Sequence, residues 1–445
     1  MKILFISLGC DKNLVDSEVM LGLLASRGYE MIDDEQEADI IVVNTCCFIH
    51  DAKQESVDNI LEMAEYKKTG KLKALIVTGC LAERYRQEII DEIPEVDAVL
   101  GTTAYDKILD AVDEALEGKH FLEMEDLQAL PVVNTKRQIT TGGHFAYMKI
   151  AEGCDKHCTY CIIPKIRGTY RSVPMEQLIK EAEELAAQGV KELILVAQET
   201  TLYGKDLYGE KSLHKLLKEL CKVSGIQWIR ILYCYPEEIT DELIQVIKEE
   251  PKICHYLDLP IQHANDEILK RMGRRTSKQE LVDIVTKLRK EIPDICLRTT
   301  LITGFPGETE EQHQELVEFV DEMEFDRLGV FTYSPEEDTP AATMPDQIEE
   351  EVKFERQAEL MELQQEVAFD TAEKMIGREM LVMIEGKIAD EPAYVGRTYR
   401  DAPKVDGLIF VETGELLMSG DFAKVTVTGA EEYDLIGGLT NELTE

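Results

Sequence analysis

The segment Gly153-Cys154-Asp155-Lys156-His157-Cys158-Thr159-Tyr160-Cys161 sets three cysteines in C-x3-C-x2-C spacing. Three thiolates on one short loop can each take one iron of a cubane iron-sulfur cluster and leave the fourth iron without a protein ligand. Structural zinc asks instead for four protein ligands closing a tetrahedron. His157 could supply the fourth, but it adjoins Cys158, and neighbouring side chains do not both enter one small site without strain. The spacing favours an iron-sulfur centre with an open position.

Eight further cysteines bring the total to eleven. In a reducing compartment thiols serve as metal ligands, catalytic groups or core residues more often than as disulfides. Cys10, Cys46 and Cys80 form a second set by position, since each follows an apolar run of strand type: Ile3 to Leu8, Ile40 to Val43 and Ala74 to Val77. Cys47 adjoins Cys46 and is read as a spare thiol, because neighbouring side chains at a strand end diverge. Cys221, Cys234, Cys254 and Cys296 are scattered and read as core packing.

The elements that must position these thiols follow from periodicity. In the first segment the strands alternate with helix-period stretches, Leu14 to Gly28 and Gln54 to Tyr66. Right-handed crossovers make such strands parallel and gather Cys10, Cys46 and Cys80 at the carboxyl edge, where open α/β sheets bind ligands. From Ala146 the alternation restarts with six strand runs: Ala146 to Ala151, Glu192 to Ala197, Trp228 to Cys234, Tyr256 to Ile261, Leu297 to Ile302 and Leu328 to Tyr333. Pro174 to Gln188, Thr276 to Glu291 and Thr309 to Glu324 are helices between them. Six units predict an incomplete α/β barrel, with active residues after strand ends; Cys154 follows the first. A polar stretch from Glu123 to Gly143, with a break at Pro131 and a Gly142-Gly143 pair, reads as a linker. A charged helix from Gln347 to Met375 ends at Gly377, and the short β runs beyond it, Glu379 to Ile384, Leu408 to Val411 and Lys424 to Thr428, predict a small β-barrel.

A cysteine triplet in this spacing, after the first strand of a six-unit α/β segment, resembles the radical SAM superfamily. That resemblance implies a 4Fe-4S cluster on Cys154, Cys158 and Cys161 whose open iron chelates S-adenosylmethionine. Gly304-Phe305-Pro306-Gly307-Glu308, after the fifth strand, matches its glycine motif and implies cofactor contacts at Gly304 and Gly307; alone, such glycines make a turn. Gln198-Glu199-Thr200 sits where the superfamily holds the methionine amino group, which implies a role for Glu199; a helix cap by Glu199 or Thr200 is the alternative. Tyr160 resembles the aromatic bordering adenine, with plain packing as its alternative.

Ser7-Leu8-Gly9-Cys10-Asp11-Lys12-Asn13, Asn44-Thr45-Cys46 and Thr78-Gly79-Cys80 narrow the resemblance to the methylthiotransferases. It implies a second 4Fe-4S cluster on Cys10, Cys46 and Cys80. It also implies domains at 1–125 (cluster-binding), 144–372 (radical SAM core) and 373–441 (a TRAM barrel, OB-like and antiparallel), with a linker at 126–143. Gly9 to Glu18, Cys161 to Gly168 and Tyr399-Arg400-Asp401-Ala402-Pro403 resemble the branch that modifies the β-carbon of an aspartate in ribosomal protein S twelve. The family's tRNA-modifying branch, and a non-catalytic iron-sulfur ribosome-binding factor, are the alternatives.

Charge bears on the partner. The chain carries a formal net charge of -40, which repels polyanions wherever acids dominate the surface and also simply keeps proteins soluble. From Glu373 to Glu445, seven Lys and Arg stand against fifteen Asp and Glu, so the carboxy-terminal module suits a basic protein better than phosphates. No stable nucleic-acid binding is expected. On this reading Asp401 and Asp406 are acids of the barrel that meet the substrate. The family also implies an electron donor such as flavodoxin or ferredoxin. Met1 to Cys10 is too short for a secretory signal, and no apolar run reaches the roughly 20 residues that span a bilayer; the expectation is a cytoplasmic enzyme without membrane contact.

Overall fold

Ile40–Thr45 and Ala74–Gly79 are buried at every residue, as unbroken apolar strands are when both faces of a sheet are covered. The computed structural model, which describes residues 1–130 and 137–441, sets them in the middle of a six-stranded parallel sheet. Its order is Glu30–Met31, Lys2–Ser7, Ile40–Thr45, Ala74–Gly79, Ala98–Leu100 and Phe121–Glu123. The strands not expected are runs of two or three residues, too short for a period to register. Ser7 lies opposite Asn44, and Asn44 opposite Thr78, so the three long strands end level. The expected break at Pro131 lies outside the described residues.

The second sheet follows the predicted six units. Its strands, Phe145–Lys149, Glu192–Val196, Trp228–Ile231, Ile253–Asp258, Cys296–Thr303 and Arg327–Thr332, pair in chain order and all in parallel. First and last strands do not meet, which makes an open, partial barrel. Capping boxes of Ser277 with Glu280 and of Thr309 with Gln312 start the helices Lys278–Glu291 and Glu310–Met323, each satisfying two orphan backbone donors. Leu281, Val285, Leu288, Leu316, Phe319 and Val320 bury the inner faces of these helices against the sheet.

Five strands, Glu379–Lys387, Ala393–Thr398, Ile409–Glu412, Phe422–Glu431 and Asp434–Leu439, close a carboxy-terminal barrel. Four of its ladders are antiparallel and one, between Ile409–Glu412 and Asp434–Leu439, is parallel. Helix Glu350–Glu373 joins this barrel to the central sheet. Gln357 Nε2 donates to the carbonyl of Val330 at 2.7 Å and Gln364 Nε2 to that of Phe325 at 2.9 Å, while Phe369 meets the barrel's Tyr433 edge-on at 5.5 Å.

The barrel docks on the central sheet through buried ions. Glu192 accepts from Arg230 Nε at 2.8 Å and from Arg397 Nη2 at 2.7 Å. Burial pushes the Glu192 carboxyl up, and the two guanidiniums more than reverse it, leaving it below the usual range. Asp401 and Asp406 belong to the same seam, which corrects the sequence reading. Asp401 pairs with Arg327 and accepts from Thr398 Oγ1 at 2.7 Å. Asp406 accepts from Tyr256 Oη at 2.7 Å and lies 3.4 Å from Arg298. Both side chains are almost wholly buried, so they hold domains together and present no charge to a partner.

Candidate active site at adjoining sheet edges

Each thiol of the amino-terminal set sits where a level-ended strand stops. Cys10 precedes helix Asp11–Ser26 as its N-cap, Cys46 follows Thr45, and Cys80 begins helix Cys80–Tyr85. Neighbouring strands lie about 4.8 Å apart, so the three loops adjoin. Gly9, at φ +88°, makes this closeness possible: a β-carbon there would come within 2.7 Å of Cys46 Cβ and 3.0 Å of its sulfur. Asn13 Nδ2 fastens two of the loops by donating to the carbonyls of Leu8 and Thr45, each at 2.9 Å. Thr45 Oγ1 fastens the third by donating to the carbonyl of Thr78 at 2.6 Å.

Burial pushes the Cys46 thiol up to about 12, and the nearby Cys80 and Cys10 sulfurs push it further in the same direction. Cys80 is raised for the same reason, against the pull of Arg167, whose Nη2 lies 3.4 Å from its sulfur. Cys47 is in the same buried cluster as Leu81, Ile89, Ile90 and Cys80, and burial, with the nearby Cys80 sulfur, pushes its thiol up.

The triplet loop begins at Gly153, after the short strand Ala151–Glu152 that pairs with Arg171–Ser172. Its first residue is tied back by Cys154 N donating to the carbonyl of Gly168 at 3.1 Å, and its middle by Thr159 N donating to that of Met272 at 2.9 Å. Cys154 and Cys158 are buried while His157, at φ 52°, is exposed, which separates the histidine from any shared site with Cys158. Burial pushes the Cys154 thiol up to about 12; Cys161 is raised too, by burial and then by Cys158. Among the described residues no three His, Cys, Asp or Glu groups already stand at the separations of a bound ion. Each set nonetheless gathers three sulfurs, donor chemistry that suits an iron-sulfur cluster.

Glu199 is fully buried. Burial pushes its carboxyl up to about 7, with Lys156, 3.6 Å away, pulling in the opposite sense. Its Oε2 has no hydrogen-bond partner. The capping alternative fails here: the next helix, Lys205–Tyr208, has Gly204 as its N-cap, and Thr200 Oγ1 donates instead to the carbonyl of Leu232 at 2.8 Å. Gly304 and Gly307 have φ values of 70° and 77°, and side chains there would run into Lys353 and Arg271 respectively. Tyr160 packs edge-on against Phe305, ring centroids 6.5 Å apart.

Several functional positions had gone unread in the sequence. Arg167, 2% exposed, donates to Asp16 at 2.8 Å and to Asn13 Oδ1 at 2.6 Å, and its Nη1 lies 3.3 Å from Glu152. Lys149 completes the cluster by bonding Asp16 and Glu152. Glu152 stands two residues before Cys154, so one guanidinium bridges a thiol of the first set to the strand carrying the second. Tyr233 and Tyr235 form another bridge: Tyr233 Oη donates to Asp11 at 3.2 Å, beside Cys10, and Tyr235 Oη lies 3.7 Å from Cys158 Sγ. A usable signal existed only for Lys149 and Glu152, charged residues in an otherwise apolar strand run.

Family models match in the same three blocks: residues 2–101 fit the uncharacterized protein family UPF0004, residues 148–320 the radical SAM superfamily and residues 376–439 the TRAM domain. Among solved structures, the radical S-adenosylmethionine methyltransferase TsrM from Kitasatospora setae shares the fold at a TM-score of 0.55 and 14% identity, over 76% of each chain. The ribosomal protein uS12 methylthiotransferase RimO of Clostridioides difficile is 51% identical over all of both chains. That of Lachnoclostridium phytofermentans is 68% identical over 98% of this chain and 99% of its own length. The chain belongs to the ribosomal protein uS12 methylthiotransferase family.

Proposed function

We propose that this enzyme adds a methylthio group to the β-carbon of an aspartate in ribosomal protein uS12, using S-adenosylmethionine and two 4Fe-4S clusters. Cys154, Cys158 and Cys161 would hold one cluster, and Cys10, Cys46 and Cys80 the other, with Cys47 left in the core. When bound and reduced, the first cluster with S-adenosylmethionine supplies a carbon radical able to take hydrogen from an inert C–H bond. The protein's own residues bind, orient and enclose. Glu199, whose buried Oε2 accepts no hydrogen bond and lies 3.6 Å from the Lys156 ammonium, would suit a ligand's ammonium in the same place. Gly304 and Gly307 make room for Lys353 and Arg271 and would shape the loop beside the cofactor, and Tyr160 against Phe305 would offer its adenine an apolar wall.

The observation that carries this reading is the short Tyr233 to Tyr235 segment, which bonds Asp11 next to Cys10 at one end and lies 3.7 Å from the Cys158 sulfur at the other, since a substrate carbon must meet a radical on one side and a sulfur on the other. The acidic barrel favours a basic ribosomal protein over tRNA. Flavodoxin or ferredoxin would deliver the electron, in the cytoplasm; among the described residues no helix is long and apolar enough to cross a membrane. Mass spectrometry of uS12 and of bulk tRNA from a strain lacking the protein tests the assignment. Loss of the methylthio mass from uS12 with tRNA unchanged is expected, and the opposite pattern overturns it.

A further inference from the structure

Lys12 is a lysine where physical chemistry disfavours one. It lies in the first turn of helix Asp11–Ser26, where the helix dipole is positive and cations are destabilising. It is 7% exposed, and burying an ammonium without a counter-charge is costly. Among the described residues no carboxylate lies within ion-pair reach of it. Its contact is the face of the Tyr233 ring, 3.2 Å from the centroid. The adjacent Asp11 does not serve, being engaged by the Tyr233 hydroxyl at 3.2 Å. No side chain caps the start of this helix, and Asp11 is the acid of its first turn, so the dipole has a carboxylate beside it while the ammonium, among the described residues, has none.

The position of this charge limits what the anion can be. Tyr233 stands beside Cys10, and Tyr235 beside Cys158, so Lys12, on the Tyr233 ring, lies nearer the amino-terminal set. On the Cys158 side the cation is Arg274, whose guanidinium lies 4.2 Å from the Tyr235 ring centroid and 3.9 Å from Glu237, with Nε and Nη1 making no hydrogen bond. On the proposed function the cofactor's methionine carboxylate would sit at the triplet loop, which would leave the substrate's carboxylate for Lys12.

Resting on the methylthiotransferase reading, we propose that Lys12, together with the amino terminus of helix Asp11–Ser26, receives the side-chain carboxylate of the uS12 aspartate and so selects aspartate over its amide. A charge-assisted contact in a water-poor site is worth about a tenfold to hundredfold change in affinity.

The test uses cluster-loaded protein, titrated with uS12 and with uS12 whose target aspartate is asparagine. Wild type should bind the asparagine form about tenfold to a hundredfold more weakly. Lys12→Met should bind both forms equally, at the weaker level, with iron content and S-adenosylmethionine affinity unchanged, and Lys12→Arg should recover part of the preference. Wild type that modifies uS12 but binds both forms alike overturns the proposal and leaves the enzyme assignment intact. Wild type that never modifies uS12 sinks the assignment and this proposal with it. A Lys12→Met protein that loses S-adenosylmethionine affinity and keeps its preference for aspartate assigns the carboxylate to the cofactor and also overturns it. Should Lys12→Met fail to fold, the wild-type comparison of the two uS12 forms still decides.

Discussion

Replacing Arg167 with methionine probes the joint between the two cysteine sets. The guanidinium is buried and bonds Asp16, Asn13 and the Cys80 sulfur, with Glu152 at 3.3 Å. In its absence Asp16 and Glu152 share a single cation, Lys149, so one carboxylate charge is left buried and uncompensated. Breaking a buried pair in this way costs about 3 to 5 kcal/mol. At about 2 to 4 °C per kcal/mol for units of 150 to 250 residues, the melting transition should fall by on the order of 10 °C. Differential scanning fluorimetry of the metal-free protein measures this without the clusters. The charge argument has a second arm: Asp16→Asn in the Arg167→Met background removes the stranded charge and should recover part of the loss. A single-variant shift under about 2 °C, or a double variant that melts lower still, would refute the reasoning.

Reconstituted anaerobically, the chain should hold about eight irons, and alanine at Cys154, Cys158 and Cys161 should halve that count; a wild-type value near four would remove the amino-terminal ligand set. Cys46→Ala should lose one cluster while Cys47→Ala keeps both, by iron assay, because it is Cys46 that lies against Gly9 beside Cys10; the reverse result exchanges their roles. Asp401→Ala should strand Arg327 and cost about 3 to 5 kcal/mol of barrel docking, read as early proteolysis around helix Glu350–Glu373; loss of uS12 binding with no change in proteolysis would return Asp401 to a substrate role. Stability should also depend on pH through the cluster beside Gly307. Burial pushes Glu308 up, but His263, His313 and Arg356 hold it at about 2 against an ordinary 4.5, so its contribution is present above 4.5 and lost as pH falls toward 2. His313 is raised above 6.5 by Glu308 and Glu359 despite burial, so its contribution is present below 6.5 and lost as pH climbs through the raised value. Urea midpoints against pH should show both flanks, and His313→Gln should flatten the alkaline one; a variant whose alkaline flank matches wild type contradicts the assignment.

The sheets were legible because strands such as Ile40–Thr45 are buried throughout and spell out their apolar run. The barrel was half legible: Ala393–Thr398 and Asp434–Leu439 carry Gly396, Gly437 and Gly438, which break the apolar alternation a strand is read from. At the site, cysteine spacing was visible because the chemistry demands thiols. The ions around them were not, since Arg167 finds Asp16 across 151 residues of sequence and nothing local marks such a partner. Asp401 and Asp406 misled for the related reason that a net charge says nothing about which acids face water.

Helix Glu350–Glu373 makes the molecule mechanically continuous. Near one end Lys353 packs on Gly304 and donates to the carbonyl of Tyr333 at 3.0 Å; at the other, Ala372 is part of the barrel's own core. Nineteen residues separate them, about 28 Å of unbroken rod at 1.5 Å per residue. A rocking of the barrel by about 4° around the middle of that rod carries Lys353 by about 1 Å, a distance to which close-packed glycine contacts are sensitive. The barrel and the Gly304 loop are thus two ends of one lever, and a grip on one is felt at the other.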